Sequence, residues 1–237
     1  MPADMTANSP FRARFDAMVA ELRAHPRVQV YEVFVRPPAS ERSICDAEES
    51  VGARLPDDLR AFYAAHDGVF LEWGLRGREY DTLTDAFEFP DYGQPPGCIN
   101  IVPVADAISP TWEQDYHVNQ IQEDHQALLF GGPLAVQPEV KAVCVDNFSK
   151  YNHGDLVFGP EPVMVVSTDH GADMDSSNFS TFSVYLDMTL ALFATNRYDH
   201  GLGIGWTGKP RRITEWTKRR TLDEVIAELD KEDRQDE

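Results

Sequence analysis

The chain has 237 residues, 42% of them hydrophobic, with four Trp and thirteen Phe, enough for one generous domain or two small ones around a sizeable core. Its 40 acidic residues against 21 basic ones leave a formal charge of −19, which argues against a general affinity for nucleic acid or an anionic membrane and favours a cationic partner. Residues 1–10 carry neither a basic nor an apolar targeting region, no run reaches the roughly twenty apolar residues of a membrane span, and Cys45, Cys98 and Cys144 are too few and too scattered for a disulfide frame or a zinc site. These features lead us to expect a cytoplasmic protein with buried, reduced thiols and no cofactor.

In chain order, Ser9-Pro10 opens a helix whose Phe11, Phe15, Met18, Val19 and Leu22 form an apolar stripe, and His25-Pro26 closes it. Residues 28–35 (VQVYEVFV) are β-branched and aromatic and predict a strand; its alternation changes phase at Val30-Tyr31, the mark of a bulge. Residues 43–68 (SICDAEESVGARLPDDLRAFYAAHDG) predict two helices. Ser43 caps the first, Ile44, Ala47 and Val51 line its inner face, and Gly52 stops it in the left-handed conformation. Pro56 starts the second, Asp57 and Asp58 favour its positive end, Leu59, Phe62, Tyr63 and His66 share a face, and Asp67-Gly68 ends it.

This segment resembles the signature of the SUKH superfamily, which includes SMI/KNR-type regulators of fungal cell-wall assembly and many bacterial immunity proteins. The matching residues are Ile44, Glu48, Gly52, Leu55, Pro56, Asp58, Leu59, Phe62, Tyr63 and Gly68. Later segments extend the resemblance in order: Leu71 and Trp73, residues 99–103, Leu129-Phe130-Gly131, Val143-Cys144-Val145-Asp146 and residues 182–193, so that residues 40–195 are covered. It implies an α+β domain acting through protein binding.

Beyond Gly68, short apolar runs bounded by Gly and Pro predict strands at 98–102, 127–130, 140–145, 155–158 and 163–167, with turns at Gly131-Gly132-Pro133, Asn152-His153-Gly154 and Gly159-Pro160. Their short connections suit antiparallel pairing. Residues 104–108 predict a short helix and 109–123 a loop containing Trp112. Ser180 or Thr181 caps a helix with Phe182, Tyr185, Leu186, Thr189, Leu190 and Phe193 on one face, ending near Asn196 and covering one side of the sheet. A Gly-rich loop (200–208) and a basic segment with Lys209, Arg211, Arg212, Lys218, Arg219 and Arg220 follow, and a last helix carries a Thr221/Glu224 capping box and a Leu222, Val225, Ile226, Leu229 stripe. The expected architecture is α+β: a single antiparallel or mixed β-sheet with helices packed against it. Residues 1–39 form an N-terminal extension, 40–196 the SUKH-like domain, and 197–237 a basic segment and C-terminal helix.

Asp169-His-Gly-Ala-Asp173-Met-Asp175 is the best metal candidate by composition, but an EF-hand register from Asp173 puts Asn178 where Gly is needed and Val184 where Glu is needed. A solvated polar loop is the simpler reading, and no metal is expected. The seven histidines form no HExxH, HxE/PCxxC or GxSxG context, which removes local support for zinc hydrolase, deaminase or serine hydrolase chemistry. Gly201-x-Gly203-x-Gly205 follows a helix rather than a strand, unlike a dinucleotide loop. The basic run flanked by Trp206 and Trp216 has an acidic helix downstream to neutralise it, so no nucleic-acid partner is assigned.

Glu72, Asp81, Asp85, Glu88, Asp91 and Tyr92 form an acidic and aromatic stretch able to meet a basic partner, with Asp169, Asp173 and Asp175 as further acidic candidates. Trp73 is expected in the core. The leading expectation is a non-enzymatic immunity protein that occupies a basic toxin domain. A regulatory scaffold of SMI/KNR type is the alternative, and a hydrolase using Asp169, His170, Asp173 or Asp175 is the second.

Overall fold

The computed structural model describes residues 10–83, 85–87, 93–107, 141–149, 152–158, 162–169, 174–195 and 211–232. Helix α1 (Pro10–Ala24) buries Phe15, Met18, Val19 and Leu22 of the expected stripe, with Phe11 partly buried against them, and leads directly into strand β1 (Val28–Val35). Strand β1 pairs antiparallel with β2 (Val69–Leu75), and its register shifts between Val30 and Glu32, so the phase change at Tyr31 is a bulge.

Helix α2 (Glu41–Val51) buries Ile44, Ala47 and Val51 and ends on Gly52 at φ 71°. Its cap is Ser40 rather than Ser43: the Ser40 hydroxyl accepts from Ser43 N–H at 3.0 Å, which places Ser43 inside the first turn. The same register turns Cys45 outward, so only Cys98 and Cys144 are the buried thiols expected. Helix α3 (Asp57–Ala65) buries Leu59, Phe62 and Tyr63. Three carboxylates of this helix pair and the turn after it hold backbone N–H groups. Glu48 accepts from Leu55 N–H at 3.0 Å, Asp67 accepts from Val104 N–H at 2.9 Å, and Asp58 reaches across the fold to accept from Ser183 N–H at 2.7 Å. Asp58 thereby ties α3 to the first turn of a helix 125 residues away.

The remaining elements are β3 (Gly97–Ile101), the one-turn α4 (Val104–Ala107), β4 (Lys141–Asp146), β5 (Asn152–Phe158), β6 (Val163–Asp169), β7 (Met174–Phe179), α5 (Phe182–Ala191), β8 (Arg211–Ile213) and α6 (Leu222–Glu232). Among the described residues, eight strands lie side by side in sequence order, antiparallel from β1 to β7, with β8 parallel to β7. Residues between those last two strands include α5, the length of chain a parallel return requires. The architecture is therefore α+β, as expected, with helices against a mixed sheet. One apolar cluster runs from Phe15 to Leu229, so β1 and α6 share the core of the central region. Helix α6 is further fixed by Asp230, which accepts from both Arg27 (2.8 Å) and Arg78 (3.0 Å).

Four local expectations change. Asn152, His153 and Gly154 belong to β5 rather than a turn. Residues 174–179 (MDSSNF) are a strand although mostly polar, and residues 211–213 of the basic segment form β8. Helix α5, capped by Thr181, stops at Ala191 rather than near Asn196 because Phe193 (φ 53°) and Ala194 (φ 62°) turn left-handed. Their carbonyls are held by Trp73 Nε1 (2.8 Å) and Cys98 N–H (3.3 Å). The expected strand at 127–130, the turns at 131–133 and 159–160, the loop at 109–123 and the Gly-rich stretch at 200–208 lie outside the described residues.

The sheet is thinnest between β3 and β4, where the ladder registers Ile101 with Asp146. Side chains reinforce it. Asp146 accepts from Asn100 N–H at 2.8 Å and from the Tyr185 hydroxyl at 2.6 Å, and Asn100 Nδ2 donates to Asn147 O at 2.9 Å. Tyr185 thus bolts α5 to this seam, and Gly154 makes room for it, since a Cβ there would sit 2.9 Å from the tyrosine oxygen.

Candidate interaction surface

Every residue of β2 is buried, which requires cover on both faces of the sheet. On one side Trp73 points to α5, its Nε1 donating to Phe193 O. On the other side residues 80–83 and 85–87 run lengthwise along the strand. Tyr80 lies against Gly74, where a Cβ would come within 2.5 Å of its ring, Leu83 N–H lies 3.3 Å from both Glu72 carboxylate oxygens, and Phe87 meets Phe70 with ring centroids 6.2 Å apart.

This arrangement separates the predicted acidic residues. Glu72 is only 1% exposed, so its carboxyl cannot present charge to a partner. Burial pushes its pKa up to about 7, with the long hydrogen bonds from Leu83 opposing the shift and nearby Glu32 adding to it. Asp81 and Asp85 are exposed on the covering segment. Glu88, Asp91, Tyr92 and Asp173 lie outside the described residues. Asp169 ends β6, and Asp175 stands opposite Thr168 in β7. Three strands separate β2 from β6, so the backbone of that strand runs roughly 19 Å from β2 at about 4.8 Å per strand.

What the acidic reading missed is the contribution of β1. Phe34, at 44% exposure, is the exposed large apolar side chain among the described residues. It packs edge-on to Phe87 at 5.9 Å, and Tyr31 packs edge-on to Tyr80 at 6.4 Å. Arg36 sits 5.8 Å from the Phe87 ring and 3.9 Å from Asp67, a long ion pair that leaves its side chain 41% exposed beside the aromatics. Exposed Glu32, Glu79, Asp81 and Asp85 follow or flank these aromatics in sequence. An edge strand and the segment beside it therefore present an aromatic centre with an acidic rim. The Tyr31 bulge was the one sequence signal pointing here, because bulges re-aim side chains at sheet edges.

No family model and no curated protein matches the chain. Several interior polar groups have structural partners. His153 Nδ1 lies 2.8 Å from Asp155 Oδ2, both buried, and Asp155 is opposite Cys144 in the β4/β5 ladder. Burial, then the Asp155 and Asp146 carboxylates, push the Cys144 thiol well above its ordinary pKa, the opposite of an activated nucleophile. His66 packs between Phe11 and Phe62, and burial followed by the Arg12 charge lowers its proton affinity. Among the described residues, no group of three His, Cys, Asp or Glu side chains could hold a metal ion, and no helix is long and apolar enough to cross a membrane.

Proposed function

We propose that the chain is a non-enzymatic protein-binding domain of the cytoplasm, an immunity protein that neutralises a basic toxin domain through the surface formed by β1 and residues 79–87. The observation that carries this reading is Phe34, an exposed aromatic on an edge strand, supported from below by Phe87 and Phe70 and rimmed by carboxylates. Interfaces concentrate their energy in such aromatic anchors with polar rims. The charge of −19 would steer a basic domain toward the protein, and the sequence resemblance to SUKH proteins supplies the toxin class.

The test is titration of the purified chain with the basic toxin domain encoded beside its gene, paired with protection of cells that express that toxin. Wild type is expected to form a tight complex whose association slows with salt. Phe34→Ala should cost about 2 kcal/mol or more of binding while leaving the folded protein intact, and Asp81→Lys with Asp85→Lys should slow association. Protection by both variants at the wild-type level would overturn the assignment of the surface. Failure of wild type to bind or protect would overturn the immunity reading itself.

A further inference from the structure

On the helix side of the sheet, α1, α5 and residues 216–219 line a cleft of about 460 Å3 that is open to solvent on one side. That is the size range of small-molecule sites. Its apolar lining comes from Met18, Leu190 and Phe193, and the half-buried Trp216 ring adds an aromatic wall packed against the core. The charges around it run against the rest of the protein. Arg14 is neutralised by Asp187 at 2.5 Å, whereas Lys218 and Arg219 are exposed and have no ion-pair partner among the described residues. With Glu21 counted against them, the unpaired lining groups still sum to a positive charge on a chain of −19.

One wall has a constrained backbone. Phe193 and Ala194 adopt left-handed backbone that non-glycine residues rarely take, and the hydrogen bonds from Trp73 Nε1 and Cys98 N–H keep them there. These bonds fix the backbone of that wall. Apolar lining beside two unneutralised cations suits a ligand with an apolar body and one negative end.

We propose that this cleft binds a small amphipathic carboxylate, its apolar body lying on Met18, Leu190, Phe193 and the Trp216 ring and its carboxylate held by Lys218 and Arg219. The anion adds no net cost of burying an unpaired charge, because its head group stays at the exposed cationic rim. An uncharged analogue of the same shape keeps the apolar contacts and loses the rim.

The experiment titrates the full chain with 3-phenylpropionate, decanoate and their primary amides, read by calorimetry and by the indole N–H resonance of Trp216, assigned with Trp216→Phe. The carboxylates are expected to shift that resonance and to bind at least about tenfold tighter than the amides. Lys218→Glu with Arg219→Glu, both at exposed positions, should remove that preference without altering the unfolding midpoint. Equal affinity for acid and amide would overturn the proposal. So would the absence of a Trp216 shift at about 1 mM ligand, or retention of the preference in the double variant.

Discussion

Glu72→Gln should stabilise the protein by an amount that grows with pH. The Glu72 carboxyl is buried beneath the segment around Leu83, whose N–H hydrogen bonds to it are 3.3 Å long, too weak to replace the water it has lost. Its pKa is raised from 4.5 to about 7. The folded chain therefore holds this proton more tightly than the unfolded chain. The group's contribution to stability is complete below the unfolded value and is lost as pH rises through the folded value. At about 1.4 kcal/mol per pH unit the loss amounts to roughly 3 kcal/mol. Glutamine keeps the shape and an acceptor for Leu83 N–H and never ionises. Urea unfolding of both proteins in steps from about pH 4.5 to pH 8 isolates the effect, because other titrating groups cancel in the difference. The gap should be small at the acidic end, open through neutrality and level off above it. A gap that stays constant with pH would refute the burial argument, and one that closes as pH rises would reverse its sign.

Two further outcomes test the packing. Gly97→Ala should cost several kcal/mol or abolish folding, because the new Cβ would lie 1.9 Å from Trp73 Nε1, whereas Gly77→Ala meets no atom within 4 Å and should cost only about 1 kcal/mol for its positive φ; urea midpoints of the pair measure the contrast. Tyr185→Phe removes the 2.6 Å hydrogen bond to buried Asp146 and should lower stability by about 1.5–3 kcal/mol, with faster amide exchange at Asn100 and Val102 where β3 meets β4.

The helices were legible because their signals are local. Gly52 and the Thr221/Glu224 capping box act within a few residues of where they stand, and Thr221 N–H does meet Glu224 at 2.7 Å. The Ser40 cap was missed by three residues because Ser40 and Ser43 both suit the role, and only the backbone conformation decides between them. Strand β2 escaped notice although it is buried throughout, because Glu72 and Gly74 interrupt its apolar pattern. Each is explained by a segment that follows in the chain: Leu83 covers the glutamate and Tyr80 fills the space above the glycine. The polar strand β7 likewise takes its conformation from pairing with β6 on one side and β8 on the other.

The candidate surface divides in the same way. Sequence alone determined that the protein is strongly acidic, that helices pack on a sheet of short antiparallel strands, and that Asp81 and Asp85 stand in an aromatic stretch, since composition, periodicity and capping are properties of neighbouring residues. Only the tertiary structure decided that Glu72 is interior, that Phe34 joins Phe87 at an edge strand, and that Trp216, Lys218 and Arg219 line a cleft with α1 and α5. Burial and charge balance at those places depend on chain segments from 11 to about 200 residues apart, and no local pattern records which of them will meet.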